Sequence, residues 1–370
     1  MNAGIPRYPD DLTVAWLSQA LGAEGAEIAE VSAAPVGTGQ TGATYRIRAK
    51  YTANPSGLPD SFIVKLPAED DGVREQCKSG YRAECLFYSK VVHRVDVPTP
   101  TFYHCEMTDD ASEYALLLGD QAPATQGDQV AGCSEAEARL VARAVAGLHG
   151  PTWCKPEWLA FDGLAMTLSD DDAVRMLGEV STMAADLTIE RVGAKLAPSD
   201  ADTLKETMQL VTPWLLAPND RFALVHGDYR LDNLLFSPDR TKVWAVDWQT
   251  LGVGLPTRDL AYFTGTSLPG DIRGEVERGL VAEYHAALAE QGVTGYDLET
   301  CWRDYRYGMP QALLIPTLGC AFATGTDRGI DMFAAMLERG CRAIRELGTL
   351  ALIADAATAT DVPAVEGRSV

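Results

Sequence analysis

The segment between positions 226 and 248 constrains this 370-residue chain more than any other. It reads His226-Gly227-Asp228-Tyr229-Arg230-Leu231-Asp232-Asn233, and Val246-Asp247-Trp248 follows shortly afterwards. Apolar stretches at 223–225, 234–236 and 243–246 flank the polar positions, as expected for short buried strands that end in loops. Two acids and an amide at strand ends are the pattern that a magnesium-dependent phosphoryl-transfer site requires.

The three polar positions suit different tasks. Asp228 is placed to accept a hydrogen bond from a substrate hydroxyl and to orient it for in-line attack. Asn233 and Asp247 supply the amide and carboxylate oxygens that Mg²⁺ prefers, and would hold the ion against nucleotide phosphates. A surface turn rich in Asp and Asn is the alternative, but it leaves the flanking apolar strands unexplained.

Three further polar residues lie in the same segment. We expect His226 to orient the loop by hydrogen bonds rather than to transfer a proton. Arg230 and Asp232 could act on the substrate, but salt bridges within the loop are the simpler interpretation. None of the three is therefore assigned a catalytic role.

A glycine-rich segment lies near the start of the chain. Gly37, Gly39 and Gly42 form a G-x-G-x-x-G pattern. The pattern also occurs in dinucleotide-binding folds, where the third glycine opens a helix and an acid follows about 20 residues later. Here strand-like residues stand on both sides, which favours a β-hairpin whose backbone N–H groups cover phosphates. A plain hairpin turn is the simpler alternative.

Lys65 stands on an apolar strand, where a lysine is costly unless it is paired or points into water. Glu84 follows 19 positions later, on a helix predicted over 73–92, and is the expected partner. Glu69 and Glu75 are rivals for this role, and an exposed helix glutamate is the alternative. A lysine–glutamate pair that holds the α- and β-phosphates is a recurring feature of kinases.

The order of predicted elements divides the chain in two. Strands and one main helix occupy residues 1–118, the loop at 119–127 is interpreted as a hinge, and helical periodicity dominates 128–355. Residues 356–370 are expected to form a flexible tail. We therefore predict an α+β, bilobal fold, with a small N-lobe built on an antiparallel sheet and one main helix, and a larger, mostly helical C-lobe.

Composition narrows the class of partner. The 31 basic and 52 acidic residues give a formal net charge of −21, which argues against nucleic acid or an anionic membrane surface. No stretch reaches the ~18 apolar residues of a membrane helix, and no signal peptide is apparent. Eight scattered cysteines without a C-x-x-C pair favour neither a zinc site nor a disulfide framework. A cytoplasmic location is expected, and nothing in the sequence fixes the oligomeric state.

The H-G-D-x-x-x-x-N segment followed by V-D-W resembles the aminoglycoside phosphotransferase and choline kinase-like superfamily, and the order of motifs agrees over about residues 10–350. The resemblance implies a protein-kinase-like fold, with ATP and Mg²⁺ as cofactors. It implies that backbone groups at Leu118 and Asp120 read the adenine, although Gly119 stands where relatives usually place glutamate. Arg258-Asp259-Leu260-Ala261-Tyr262-Phe263 resembles the segment in which the family's aspartate has a structural role.

Three shorter motifs look most like the ecdysteroid kinase-like branch: Val64-Lys65-Leu66-Pro67, Glu84 with Phe87-Tyr88, and Asp247-Trp248-Gln249. That resemblance implies a hydroxyl group of a steroid-like or other lipophilic small molecule as phosphate acceptor. An aminoglycoside or choline-type acceptor and a non-catalytic, ATP-binding protein are the alternatives. Gly227 in place of the arginine of protein kinases, with no A-P-E segment, disfavours a protein substrate. A dinucleotide-dependent oxidoreductase would leave the acids and amide after position 226 without a role.

Aromatic and apolar residues of the predicted C-lobe are candidates for the acceptor pocket. They are Trp302, Tyr305, Tyr307, Met309, Leu313, Leu314, Ile315, Phe322 and Met332. Packing in the core is the simpler explanation of the same residues. The acceptor is therefore the least determined part of the prediction.

Overall fold

The computed structural model describes residues 4–37, 42–165, 171–217, 220–322 and 326–360. The chain forms two compact units. The first unit comprises Met1–Thr125, Phe161–Met166 and Trp244–Gly252, and the second comprises Gln126–Ala160, Thr167–Val243 and Val253–Val370. Two segments that the sequence interpretation placed in the C-lobe thus belong to the first unit. One of them carries Asp247.

The first unit is built on a five-stranded antiparallel sheet. Its strands are β1 (Glu27–Pro35), β2 (Gly42–Ala53), β3 (Ser61–Pro67), β4 (Phe102–Met107) and β5 (Tyr114–Gly119), in the spatial order β1-β2-β3-β5-β4. The central strand β3 pairs with β2 and β5, so that Lys65 lies opposite Thr44 on one side and Leu116 on the other. The sequence did not predict β4.

Two helices complete the first unit. Helix α1 (Val14–Leu21) is capped by Thr13, and Gly22 ends it in the left-handed region at φ +56°. Trp16 and Leu17 of α1 pack into the apolar core of the sheet. Helix α2 (Asp71–Leu86) continues into a π-helical turn, Phe87–Val91, close to the predicted range of 73–92.

The rest of the chain is mainly helical. The helices are α3 (Glu135–Thr152), α4 (Asp171–Val192), α5 (Pro198–Gln209), α6 (Val211–Leu216), α7 (Thr257–Ser267), α8 (Gly270–Glu290), α9 (Leu298–Gly308), α10 (Gln311–Phe322), α11 (Asp327–Leu347) and α12 (Thr349–Thr360). Short strands also occur: β6 (Thr125–Gln126), β7 (Ala223–Val225), β8 (Leu234–Phe236), β9 (Val243–Ala245) and β10 (Gly252–Gly254). The predicted α+β fold, with a small antiparallel sheet followed by a larger, mostly helical part, is confirmed.

The helical part of the chain is interrupted between α9 and α10 and between α11 and α12. Met309 and Pro310 separate α9 from α10, because proline has no N–H for the helical ladder. Gly348, at φ +62°, separates α11 from α12. The tail expected from position 356 is helical as far as Thr360, and residues 361–370 lie outside the described part. No helix among the described residues has the length and apolar character needed to cross a membrane.

Helix α7 lies at the centre of the second unit. Each of its residues is buried, and it contacts α3, α8, α9, α10 and α11. Several of these residues are polar, and buried polar groups require hydrogen-bond partners. Thr264, for example, donates to the backbone oxygen of Leu260. A helix buried on all sides has no amphipathic stripe, which is why periodicity did not reveal it.

The packing of α9 on α7 yields a stability prediction. A Cβ at Gly308 would lie 3.1 Å from the Cα and 3.2 Å from the N of Arg258, which are backbone atoms that cannot move aside. We expect Gly308→Ala to lower the free energy of unfolding by about 1–3 kcal/mol, measured by urea unfolding. The control is Gly274→Ala, at an exposed site of α8 where no atom would lie closer than 3.9 Å to the new Cβ. There the higher helix propensity of alanine should raise the free energy of unfolding by up to about 1 kcal/mol. Equal effects of the two changes would contradict this packing.

Candidate active site

In the first unit, Lys65 lies between two carboxylates. Its Nζ is 2.6 Å from Glu84 Oε2 and 3.3 Å from Asp247 Oδ1, and its side chain is only 15% exposed. Burial lowers the pKa of Lys65, but the charges of Asp247 and Glu84 outweigh it and raise the pKa above its ordinary value. The ion pair suggested by the spacing is therefore present. The rival Glu75 instead pairs with Lys78 at 2.7 Å.

Glu84 also ties helix α2 to the segment that carries Asp247. Its Oε1 accepts the backbone N–H of Trp248 at 3.2 Å. The ring of Phe87 stacks on that of Trp248, with centroids 3.5 Å apart and planes inclined by 6°. Burial raises the pKa of the Glu84 carboxyl, against the opposing charge of Lys65. These contacts lie on one side of Asp247.

Asp247 itself adopts an unusual backbone conformation. Its φ of +68° lies in the left-handed region, which residues other than glycine, asparagine and aspartate seldom adopt. Such conformations persist where neighbouring contacts over-determine them, and they cluster at functional sites. The Asp247 side chain remains 38% exposed, so it is accessible to a ligand.

The glycine-rich segment lies between β1 and β2. Gly37 follows β1 with φ +75°, and Gly42 begins β2. A Cβ at Gly42 would come within 2.9 Å of the Leu66 backbone oxygen, so this position requires glycine. Gly39 lies outside the described residues. The predicted contact of this segment with phosphates stays a prediction.

The predicted adenine-reading residues lie at the end of β5. Leu118 is buried in the strand. The carboxylate of Asp120 accepts from Arg46 Nε at 2.7 Å and from Ser61 Oγ at 2.6 Å. Burial raises the pKa of Asp120, but these donors outweigh it and lower the pKa. The Asp120 side chain thus holds neighbouring strands, and any contact with adenine would fall to the backbone.

Close packing accounts for the glycine between these two residues. Gly119 donates its N–H to the Thr101 backbone oxygen at 2.8 Å. A Cβ at Gly119 would lie 3.3 Å from Thr101 Cβ and 3.5 Å from Thr101 N. A larger side chain, such as the glutamate expected from the resemblance, would require the neighbouring loop to move.

In the second unit, three donors surround the carboxylate of Asp228. Tyr262 O–H donates to Oδ1 at 2.7 Å, and Asn233 Nδ2 donates to Oδ2 at 2.8 Å. Arg230 Nε lies 3.2 Å and 3.3 Å from the two oxygens. These hydrogen bonds fix the direction of both carboxylate oxygens. Asp228 is therefore held as an oriented acceptor.

The backbone leading to Asp228 is held by Asp259 of α7. The N–H groups of His226 and Gly227 donate to Asp259 Oδ2 at 2.6 Å and Oδ1 at 2.9 Å. His149 Nε2 lies 3.1 Å from Oδ2, and Tyr284 O–H lies 2.8 Å from the other ring nitrogen of His149. Burial raises the pKa of Asp259, but His149 and the other partners outweigh it and lower the pKa. This aspartate has the structural role that the resemblance implied.

A second contact fixes Gly227 from the opposite side. Gln311 Nε2 donates to the Gly227 backbone oxygen at 2.8 Å. Its Oε1 accepts from Arg258, whose guanidinium lies over the Trp214 ring at 4.7 Å. Gly227 has φ +84°, a conformation that favours glycine. The tight turn before Asp228 therefore depends on Gly227 and on partners distant in sequence.

The other polar residues of this loop form hydrogen bonds within the loop itself. The backbone N–H of Asp228 donates to His226 Nδ1 at 3.3 Å, which suits the orienting role expected for this histidine. Arg230 Nη1 bonds Asp232 Oδ2 at 2.7 Å, as anticipated. Burial lowers the pKa of Arg230, but the charges of Asp228 and Asp232 outweigh it and raise the pKa. The direct contact between Arg230 and Asp228 was not predicted.

Four of the nine proposed pocket residues belong to the core. Tyr305, Met309, Leu313 and Leu314 are at most 1% exposed, so packing accounts for them. Met332 differs, because its Sδ lies 3.4 Å from Arg230 Nη1. It is the one candidate for which a contact with the catalytic segment is described.

The oxygen atoms needed for Mg²⁺ are present in the predicted residues. Both hydrogen bonds of the Asn233 side chain use Nδ2 as donor, to the Asp228 backbone oxygen and Oδ2, which leaves Oδ1 as an acceptor. Asp247 contributes a partly exposed carboxylate. Mg²⁺ in nucleotide sites takes one or two such protein ligands together with phosphates. Each of the two residues therefore offers an oxygen atom of the kind that Mg²⁺ binds.

Sequence reasoning missed two residues that shape the site, Tyr262 and Gln311. Tyr262 stands three positions after Asp259 in the segment already quoted, and that helical spacing was an available signal. Gln311 follows Pro310 at the start of α10, and no local pattern distinguishes it.

Comparison with known proteins agrees with this geometry. The model of the phosphotransferase enzyme family (APH) matches residues 32–297, which is more than half of the chain. The chain therefore belongs to this family, and it is a phosphotransferase.

Shorter segments resemble larger proteins. The chain is 46% identical over 59 residues to acyl-CoA dehydrogenase family member 10 of Mus musculus, covering 15% of this chain and 6% of the relative. It is 45% identical over 62 residues to acyl-CoA dehydrogenase family member 11 of Homo sapiens, covering 15% and 8%. The first relatives found are thus matched over less than a tenth of their length.

Two solved structures are similar at low sequence identity. Plasmodium vivax ethanolamine kinase has a TM-score of 0.48 at 13% identity, over 84% of this chain and 82% of that one. An aminoglycoside phosphotransferase from Streptomyces rimosus has a TM-score of 0.43 at 19% identity, over 76% and 92%.

The lowered pKa of Asp259 gives a pH-dependent prediction. Asp259→Asn places an amide NH₂ against the N–H groups of the loop, and we expect a loss of about 3–5 kcal/mol in the free energy of unfolding at pH 7. A carboxyl whose folded pKa is depressed stabilises fully above its unfolded pKa of about 3.9, and less as pH falls through the folded pKa. The difference between wild type and variant, measured by urea unfolding, should therefore be constant from pH 7 to 5 and shrink below about pH 4.

Asp186→Asn is the matched control. Asp186 is 70% exposed and pairs with Lys205 at 3.0 Å, so its loss should change stability by no more than about 1 kcal/mol. The structural role of Asp259 would be contradicted if the free energies of unfolding of wild type and Asp259→Asn differed little at pH 7. It would also be contradicted if their difference grew as the pH falls.

Proposed function

We propose that the protein transfers the γ-phosphoryl group of ATP to a hydroxyl group of a small molecule, with Mg²⁺ as cofactor. The position of Lys65 between Glu84 at 2.6 Å and Asp247 at 3.3 Å carries this proposal. A buried cation with a raised pKa, beside an accessible carboxylate, suits α- and β-phosphates and their metal ion. The membership in the phosphotransferase enzyme family supports it.

The residues divide the work in this scheme. Lys65 binds the α- and β-phosphates, and the glycine-rich segment is expected to contribute further phosphate contacts. Asn233 and Asp247 would hold Mg²⁺, which supplies charge neutralisation at the phosphates when bound. Backbone groups at Leu118 and Asp120 would read the adenine.

Asp228 acts on the acceptor. Its carboxylate accepts a hydrogen bond from the acceptor hydroxyl and orients the oxygen for in-line attack on the γ-phosphorus. A new oxygen–phosphorus bond forms, the bond from the γ-phosphorus to the bridging oxygen breaks, and ADP leaves. The hydroxyl proton passes to Asp228. No covalent intermediate with the protein is required.

For the acceptor we propose a lipophilic molecule. The motifs around Lys65, Glu84 and Asp247 support a steroid- or terpenoid-like alcohol, as in the ecdysteroid kinase-like branch. The apolar side chain of Met332 beside Arg230, at 3.4 Å, is compatible with an apolar substrate. The names of the acyl-CoA dehydrogenase relatives favour a second candidate, a hydroxylated acyl chain or its coenzyme A thioester.

A panel of acceptors tests this function. ADP release with Mg·ATP should be measured with sterols, terpenoid alcohols, hydroxy fatty acids and their coenzyme A thioesters, aminoglycosides, choline and ethanolamine. We expect stimulation by a lipophilic alcohol and a product heavier by one phosphate group. Stimulation by aminoglycosides or choline alone would contradict the lipophilic acceptor. Failure to bind Mg·ATP would contradict the enzymatic function and favour a non-catalytic protein.

The role of Asp228 gives a direct prediction. Asp228→Asn keeps the size of the side chain but removes the charge that accepts the hydroxyl proton. We expect kcat to fall by about 10²- to 10⁴-fold, with the affinity for Mg·ATP, measured calorimetrically, nearly unchanged. The exposed substitution Asp186→Asn should leave kcat unaltered. Turnover by Asp228→Asn at the wild-type rate would show that another group orients the acceptor.

A further inference from the structure

A tyrosine of α7 makes the shortest contact of the Asp228 carboxylate among the described residues. Tyr262 O–H donates to Oδ1 at 2.7 Å. The Tyr262 side chain is fully buried, and every residue of its helix is buried as well. The donor is therefore carried by one of the most enclosed elements of the second unit, where side-chain positions are well defined.

The same helix face holds the loop at two points. Asp259 and Tyr262 are three positions apart, so they lie on one side of α7. Asp259 accepts the backbone N–H groups of His226 and Gly227, while Tyr262 donates to the side chain of Asp228. Helix α7 thus fixes both the backbone before the catalytic residue and the orientation of its carboxylate.

The three donors around Asp228 are not equivalent. Tyr262 and Asn233 donate to different oxygens at 2.7 and 2.8 Å. Arg230 Nε reaches both oxygens at 3.2 and 3.3 Å, from a side chain that is 19% exposed. The Arg230 contacts are the longest and come from the more exposed donor. They therefore break most easily when a hydroxyl group approaches Asp228. Tyr262 and Asn233 then remain as the fixed pair.

We propose that Tyr262 is a positioning residue for phosphoryl transfer, whose O–H holds the Asp228 carboxylate so that its remaining acceptor site faces the incoming hydroxyl. This inference rests on the proposed function. Burial and the charge of Asp228 raise the pKa of Tyr262 well above its ordinary value, so its O–H remains a donor at neutral pH. Removing the donor leaves the carboxylate free to turn about its side-chain torsion.

Tyr262→Phe removes the O–H group and retains the buried ring. Tyr305→Phe is the matched control, because Tyr305 is equally buried and its O–H bonds Thr264 of the same helix at 2.8 Å and Glu277 at 3.0 Å. Both variants lose one buried hydroxyl near α7. Of these two tyrosines, only Tyr262 donates to Asp228.

The first measurement is the hydrolysis of Mg·ATP without added acceptor, in which water takes the place of the hydroxyl. We expect Tyr262→Phe to lower kcat by about 10- to 100-fold with KM for ATP within about twofold of wild type. Tyr305→Phe should match Tyr262→Phe in thermal stability but keep the wild-type kcat. An unchanged kcat in Tyr262→Phe, an equal loss in both variants, or a loss confined to KM would overturn the proposal.

A second measurement does not depend on turnover. In protein labelled with ¹³C at the aspartate carboxyl groups, the Asp228 resonance is assigned by its absence from Asp228→Asn. At pH 7.5 it should shift in Tyr262→Phe and stay in place in Tyr305→Phe; an unshifted resonance in Tyr262→Phe contradicts the contact. A wild-type protein that does not hydrolyse Mg·ATP would count against the proposed function, while this resonance would still decide on Tyr262.

Discussion

The buried carboxylate of Asp259 makes the contacts on which the loop of Asp228 depends. It accepts two backbone N–H groups at 2.6 and 2.9 Å and lies 3.1 Å from His149. A buried charge without such partners would cost several kcal/mol, so the loop and the carboxylate stabilise each other. Because the N–H donors come from His226 and Gly227, the next residue, Asp228, is fixed in position. Tyr262, one helical turn further along α7, then sets the orientation of its side chain.

In the first unit, the ion pair between Lys65 and Glu84 has a structural role comparable to that of Asp259. Glu84 joins strand β3, helix α2 and the segment of Trp248 through three contacts at 2.6 to 3.2 Å. The left-handed backbone of Asp247 is held next to this group. The Asp247 carboxylate lies beside the Lys65–Glu84 pair, where a bound Mg²⁺ could balance its negative charge while nucleotide phosphates bind the lysine. Phosphoryl transfer is therefore the chemistry that these charges favour.

Local patterns predicted the parts of the site that are local in sequence. The strands before Asp228 and Asp247 are short and apolar, and the helix that carries Glu84 has clear periodicity. Helix α7 was not predicted as an element because it is buried on all sides. The contacts of Tyr262 with Asp228 and of Gln311 with Gly227 join residues 34 and 84 positions apart. The spacing of Tyr262 from Asp259 was a local signal for the first contact, but no local pattern indicates the second. Apolar residues such as Leu313 could belong to a core or to a pocket, and only burial shows that they belong to the core.

The central claim is that this phosphotransferase binds ATP through a magnesium-dependent site built on Lys65 and Asp247. Calorimetric titration of the wild-type protein with ATP, in the presence of Mg²⁺ and again with the metal chelated, tests it most directly. The account predicts one nucleotide per chain and a clear loss of affinity when Mg²⁺ is removed, because Asp247 then faces the phosphates without a cation between them. Absence of binding, or binding that is equally tight without Mg²⁺, would contradict it.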